Sequence, residues 1–269
     1  MANRLKEIRR DADLTGRQLA ALSGWHFTKV SKLEHAVTSP SEDDIRTWCR
    51  HCHTEDQIPD LIATLRSIES MYMEWRRQLR AGLKHVQESS VPLYERTHNF
   101  RIYESAVIPG LFQTAEYVAA TLHIATDFYE SGGDIDQAVA ARMDRQRFLY
   151  HGGRQFSFVL EEEALRTVMG SRDVMLGQLD RVLAVMSLPR VSVGIIPPMT
   201  ARKIWPGEPF WIFDSHTVRI EITSAHLTVT RPQEIALYAR AFEWLRRSAV
   251  YSAAARELVR HAIEDIAAT

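Results

Sequence analysis

Apolar residues in the first fifty positions recur in short helical groups separated by turn residues, with no strict alternation. Leu5 and Ile8 open a helix that runs to about Ala12, and Leu14-Thr15-Gly16 breaks it. Arg17 to Ser23 is a second helix, Gly24 a turn, and Phe27 to Glu34 a third helix with Val30 and Leu33 facing inward. Ser41 caps a fourth through the S-x-x-D pattern ending at Asp44, and the acids Glu42, Asp43 and Asp44 suit the positive end of its dipole. From Pro59, apolar residues recur three and four apart through Leu65, Ile68, Met71, Trp75 and Leu79, which predicts one long amphipathic helix as far as Gly82.

Beyond Pro92 the pattern becomes mixed. Phe156 to Leu160, Val191 to Ile196 and Phe210 to Phe213 read as strands by length and β-branched or aromatic content, and Thr217 to Thr223 alternates strictly. That alternation puts Val218, Ile220 and Ile222 on one face and Arg219 and Glu221 on the other. Helical periodicity occupies Thr114 to His123, Gln137 to Tyr150, Arg172 to Met186, Arg231 to Leu245 and Ala249 to Ile266. The expectation is an α+β chain: a helical bundle over 1–58, a helical linker over 59–91, and an α+β domain over 92–269 with a mainly antiparallel or mixed sheet.

Composition narrows the function classes. The 269 residues are 45% hydrophobic and 25% charged, apolar enough for a large core and too apolar for general disorder. Cys49 and Cys52 are the only cysteines, too few for a disulfide framework, and no apolar run reaches a membrane span. With a charged N-terminus where a signal peptide needs an apolar stretch, a cytoplasmic protein with no membrane contact is expected. A net charge of -1 gives no global argument for nucleic acid, so any such site must be local.

The second and third helices, Leu14 to Glu34, supply such a site. Leu19 and Ala20 pack inward, Ala20 is small where helices cross, and Gly24 permits a tight turn. Phe27, Thr28, Lys29, Ser31 and Lys32 are left outward, as a helix presented to a major groove requires. The L-A-x-x-x-G and V-S-K-L-E segments resemble the Cro/repressor-like helix-turn-helix family, also called the xenobiotic-response-element family. Gly16 stands where that family often has Gln, His26 where it often has a Ser cap, and Phe27 where it usually has a polar reader. The resemblance implies double-stranded DNA as partner, with Arg17, Gln18, His26, Phe27, Thr28, Lys29, Ser31 and Lys32 as the contact residues. Over residues 1–35 the basic Arg4, Lys6, Arg9, Arg10, Arg17, Lys29 and Lys32 exceed the acidic Glu7, Asp11, Asp13 and Glu34 by three. Phosphate contacts dominate affinity, so this modest surplus predicts a homodimer.

Other clusters read more plainly. Cys49-Arg50-His51-Cys52-His53 falls at the end of the helix begun by Ser41, where the dipole opposes thiolate formation, and reads as core thiols ahead of zinc or redox chemistry. Glu161-Glu162-Glu163 reads as a solvated charge run opening a helix at Ala164. Arg142, Arg145 and Arg147 read as a surface helix laced by an ion pair with Asp144, or as a contact face for an acidic partner. Gly132-Gly133 and Gly152-Gly153 lack a phosphate-loop context and read as turns. No nucleophile elbow or metalloprotease motif occurs, so neither an enzyme nor a cofactor nor a metal is expected.

Four segments carry a second resemblance: Tyr103 to Tyr117 as Y-E-x-x-x-I-P-G-L-x-Q-T-x-x-Y, Arg142 to Leu149 as R-x-x-R-Q-x-x-L, Phe158 to Arg166 as F-V-L-E-E-x-A-L-R, and Gly207 to Phe213 as G-x-P-F-x-I-F. Their order is similar to the C-terminal domain of actinobacterial antitoxin-like transcriptional regulators of the Scr1 type. That resemblance implies a regulator whose second domain engages a small protein encoded nearby. An antitoxin neutralising that protein, and a small-molecule-responsive regulator, are the alternatives. The latter requires a deep pocket in the α+β domain.

Overall fold

Side-chain caps open three of the four N-terminal helices. The computed structural model, which describes residues 1–80 and 82–268, begins with α1 (Ala2–Asp11), α2 (Gly16–Leu22), α3 (Phe27–Glu34) and α4 (Glu42–His51). Thr15 and Gln18 close a capping box on α2, and Ser41 and Asp44 close one on α4. Gly24, at φ +66°, makes the turn between α2 and α3 in a conformation that favours glycine. After a 3-10 turn at Glu55–Gln57, α5 (Ile58–Met71) completes a first unit. Its core contains Leu5, Ile8, Leu19, Ala20, Val30, Leu33, Ile45 and Trp48, and each large side chain among them is worth roughly 1.5–3 kcal/mol on burial. Trp48 Nε1–H also donates to the Leu5 carbonyl at 3.0 Å, tying α4 to α1.

The single helix expected over 59–82 does not form. α5 stops at Met71, Tyr72–Glu74 is a strand, β1, and α6 (Trp75–Arg80) follows. Ala81 and the side chains of Ile68, Met71 and Tyr72, which the periodicity used, lie outside the described residues. The competing interaction is β1 pairing antiparallel with β7 (Ala225–Val229), in the register Tyr72↔Leu227 to Glu74↔Ala225. Trp75 Nε1–H then donates to the Ile222 carbonyl at 2.9 Å. Helical spacing in one segment cannot reveal a sheet edge some 150 residues away that offers backbone hydrogen bonds.

The second unit starts at Tyr72. After α6 come α7 (Leu83–Glu88), α8 (Val91–Arg96), β2 (Asn99–Glu104), α9 (Ala115–Tyr129), α10 (Ile135–Arg145), β3 (Gln155–Glu161), α11 (Glu163–Arg166), α12 (Arg172–Val185), β4 (Val191–Ile196), β5 (Phe210–Phe213), β6 (Thr217–Ile222), β7, α13 (Pro232–Ser248) and α14 (Ser252–Ala268). The seven-stranded sheet runs β1-β7-β6-β5-β2-β3-β4. It is mixed, as expected: β2, β3 and β4 are parallel, and the remaining pairs are antiparallel. Phe156, Phe158 and Leu160 of β3 pack in one cluster with Leu179 and Val182 of α12 and Val259 of α14. Tyr103 and Val159 join a second cluster with Phe242 and Leu245 of α13, so alternation along β2 and β3 feeds both faces. No helix among the described residues is long and apolar enough to cross a membrane.

Two local expectations change and one holds. Glu161, the last residue of β3, and Glu162, the N-cap of α11, are buried rather than solvated, and Glu163 alone of the three is exposed. Glu161 accepts Tyr103 Oη at 2.8 Å and both Arg202 guanidinium nitrogens at 2.7 and 2.5 Å, and Glu162 accepts from Arg166. Arg145 is buried and Arg142 half-buried, so both arginines of α10 turn from solvent, while Arg147, in the 3-10 turn that follows, pairs with Asp144 as expected. Cys49 and Cys52 are core residues, as expected. Burial first, and Cys49 second, push the Cys52 thiol up to about 11.

Glu104, at the inner end of β2, is buried and accepts Trp211 Nε1–H at 2.7 Å. Burial first and Glu221 second raise its pKa to about 8, against the pull of the Trp211 bond. Its protonated form is favoured in the fold, so its contribution to stability is complete below the unfolded pKa and is lost as pH rises towards 8. Glu104→Gln keeps the acceptor but cannot ionise, and its unfolding free energy is expected to fall less steeply than wild type between about pH 5 and 8, the limit being about 1.4 kcal/mol per pH unit. Parallel stability curves from urea titrations at several pH values would refute this.

Candidate nucleic-acid interface

The geometry of α2 and α3 sorts the eight anticipated contact residues into those facing outward and those tied to the fold. Arg17, Gln18, His26, Phe27, Thr28 and Lys32 are exposed; Lys29 and Ser31 are half-buried. Gln18 Oε1 accepts from Thr15 N–H and from Thr15 Oγ1, both at 2.7 Å, so the cap orients its carboxamide. His26 Nδ1 accepts the Thr28 N–H at 3.3 Å, which makes the imidazole the cap of α3 in place of a serine hydroxyl. The Thr28 hydroxyl lies 2.7 Å from the same nitrogen.

Gly16 and Phe27, both departures from the resembled family, account for one another. A Cβ at position 16 would stand 3.1 Å from Phe27 Cε2, so glycine leaves room for the ring on α2. The Arg17 guanidinium lies 5.8 Å from the ring centroid, extending that surface with a cation.

Lys29 is committed elsewhere. Its ammonium lies 2.6 Å from Asp44 Oδ1 and 4.4 Å from the Trp25 ring centroid. Burial alone would raise the Asp44 pKa; the Lys29 ammonium and the Ser41 cap outweigh it and hold the carboxyl below its usual range. Lys32 stands exposed in the last turn of α3, four residues from Thr28 and three before His35. These positions share a face. His35, exposed and with Nδ1 2.7 Å from the Ser31 carbonyl oxygen, was overlooked in the sequence, although the i+7 spacing from Thr28 marks it.

The simple charge surplus also changes meaning. Arg9 and Glu34 form a buried bidentate pair, Nε to Oε1 at 2.5 Å and the second pair of atoms at 3.0 Å, and Arg9 also donates to the Leu14 carbonyl at 2.5 Å. This fastens α1 and the turn before α2 to the end of α3. With Arg9, Lys29 and the Arg4–Glu7 pair set aside, Lys6, Arg10, Arg17 and Lys32 are the cations of the first 35 residues left to a ligand.

Residues 1–63 match the family model described as a helix-turn-helix domain, and residues 90–261, nearly two-thirds of the chain, match the domain of unknown function DUF5753. The chain belongs to the DUF5753 family. The DUF5753 match opens just before α8, ends within α14, and contains all four motifs that set the second domain apart in sequence. Those specifics reach no further than the family, and no curated protein matches the chain. Among solved structures the chain is similar to TrmBL2, an archaeal chromatin protein whose structure is described as showing a novel mode of DNA binding. The likeness is 13% identity over 89% of this chain and 88% of that one, at a TM-score of 0.31, too loose to carry fold or function across.

Among the described residues no three His, Cys, Asp or Glu side chains converge for a metal ion. The helix-turn-helix of this DUF5753 protein is held by apolar packing, helix caps and the buried Arg9–Glu34 pair. Its buried ion pair makes a sharp test: Arg9→Met leaves Glu34 buried without its partner and is expected to cost about 3–5 kcal/mol, most of it recovered in Arg9→Met/Glu34→Leu. Urea unfolding of the full chain measures both, and a single-variant loss under about 1 kcal/mol would contradict the role given to the pair.

Proposed function

We propose that this protein is a sequence-specific, DNA-binding transcriptional regulator that acts as a homodimer and whose C-terminal unit engages a small partner protein. The observation that carries the DNA-binding part is the exposed face of α3, with Thr28 and Lys32 in line and Arg17 of α2 supplying a further cation. In this reading Thr28, Ser31 and Phe27 reach base edges or the thymine methyl, Lys32 meets a phosphate or a base edge, Arg17 and Gln18 hold phosphates, and His26 serves chiefly as the cap. Lys29 braces α3 against α4. Four cations per copy give few phosphate contacts, which favours two copies on half-sites about one helical turn, roughly 34 Å, apart.

Partner engagement rests on the resemblance of the second unit and on apolar side chains it leaves in water. Met199 and Trp205, on the segment between β4 and β5, are 95% and 77% exposed, and large exposed aromatics are frequent anchors of protein contacts. A continuous helical rod from the reading head into the second unit is not part of this proposal, since α5 ends at Met71.

Genomic fragments retained by the full chain supply the operator for the decisive measurement. Lys32→Ala is expected to reduce the slope of log affinity against log salt by about 1 if it meets a phosphate, while Lys29→Ala leaves that slope near wild type. Equal slopes for wild type and Lys32→Ala, with equal affinity, would remove α3 from the interface. For the partner, calorimetry of the full chain with the small protein encoded nearby is expected to show Trp205→Ala weakening binding by about tenfold or more. Unchanged affinity would place the contact elsewhere.

A further inference from the structure

Two hollows in the second unit, of about 450 and 350 Å³, share among their walls Ser90, Tyr129, Arg142, Arg145, Arg219 and Glu221. Each lies within the size range of small-molecule sites. α10 contributes Arg142 and Arg145, and β6 contributes Arg219 from a position that alternation alone would assign to solvent.

The three guanidinium groups are held entirely by neutral acceptors. Arg142 donates to Gln87 Oε1 at 2.9 Å and to Gln113 Oε1 at 3.0 Å. Arg145, only 9% exposed, donates to the Gln87 carbonyl at 3.1 Å and to Gln87 Oε1 at 3.3 Å. Arg219 donates to Ser90 Oγ at 2.6 Å, and its Nε is buried with no hydrogen-bond partner. Tyr94 and Phe213 back the latter two, with ring centroids 5.4 and 5.9 Å from the guanidinium carbons. Burial, then the charge of Arg145, pulls the Arg142 pKa down to about 10, and burial lowers that of Arg219.

Elsewhere in the chain, Arg9 and Arg202 each receive a carboxylate in bidentate contact. Half-buried Arg101 is likewise held by a neutral acceptor, the Asp214 carbonyl, but it stands alone, whereas here three guanidinium groups share one cavity. Burying a cation without one is costly, and a cluster of three compounds that cost through mutual repulsion. The carboxylates on this cavity offset only part of that charge: Glu221 pulls the pKa of Arg142 and Arg219 up, but burial outweighs it at both. Glu104 is turned to Trp211 and favours its protonated form at neutral pH, and Glu221 is exposed. The walls are otherwise apolar and aromatic, including Trp211, Phe213 and Phe128.

We propose that this cavity binds an anionic small molecule, its carboxylate or phosphate received by Arg142, Arg145 and Arg219 and its apolar body lying against Trp211, Phe213 and Phe128. Planar guanidinium forks suit either head group, and the preformed hydrogen bonds to Gln87, Gln113 and Ser90 fix them before a ligand arrives. The site deepens the regulatory reading by naming the chemistry of an effector. Its test contains no DNA, so it stands or falls separately from operator binding.

The full chain is titrated with 1-naphthyl phosphate, 1-naphthaleneacetate and the neutral 1-naphthalenemethanol, followed by calorimetry and by the melting temperature. At least one anion is expected to bind saturably, to raise the melting temperature, and to bind about tenfold or more tightly than the alcohol; the stronger of the two identifies the head group. Arg219→Gln, which gives up a single bond to Ser90, is expected to lose about tenfold in that affinity, and Arg260→Gln on the exposed face of α14 to lose none. Trp211 emission in the unmodified chain supplies a readout that needs no arginine variant, since the occupied cavity is expected to change it and Trp211→Phe to abolish that change. The proposal is overturned if neither anion outbinds the alcohol, or if the anion binds Arg219→Gln as it binds wild type.

Discussion

A charge removed from water must be met by an opposite charge or by a full set of hydrogen bonds, and this constraint organises both units of the molecule. In the first unit it is met by Arg9 and Glu34, whose two-pronged contact fixes the end of α3 relative to α1 and the turn before α2. In the second, Glu161 gathers Tyr103 and Arg202 at the end of β3. Each pair adds direction to an apolar core that would otherwise specify only proximity. The three arginines on the cavity obey the same rule incompletely, with neutral acceptors and one buried nitrogen unmet.

The helix-turn-helix shows how internal commitments decide which polar groups remain for a ligand. Lysines one turn apart on α3 have opposite fates. Lys29 lies between Trp25 and Asp44, whereas Lys32, three residues on, meets water. His26 caps α3 and Gln18 completes the capping box of α2, so both exposed side chains are also tied to the helix ends. Gly16 makes space for Phe27, leaving an aromatic surface at the head of α3 where a small polar residue would give a flatter one.

In the second unit β2 is the hinge of the topology, parallel to β3 on one side and antiparallel to β5 on the other. Its alternation sends Phe100 and Ile102 into one apolar layer and Tyr103 into the other, while Glu104 at its end reaches the cavity. The sheet thereby places chemistry at the end of a strand that is rigid on both edges. α10 brings Arg142 and Arg145 to the same place, against the glutamine of α7 that receives both.

Sequence alone determined whatever depends on neighbours a few residues away. The spacing of Leu19, Ala20, Val30 and Leu33, the Ser41 cap and the alternation of Val218 and Ile220 each report the inward face of one element, and the structure buries those faces. Tertiary structure decided which faces meet. Glu34 lies 25 positions from Arg9, and Arg219 reaches Ser90 across 129 positions, so no local period could pair them. The same distance hid β1, whose strand conformation comes from an edge of β7 rather than from its own residues. It also hid the burial of Glu161 and Arg145, because a cluster of charged residues looks solvated until the strand or helix carrying it is packed. Spacing reveals the side of an element that avoids water, but the partner on that side is chosen by three-dimensional packing and by the cost of leaving charge and backbone unsatisfied.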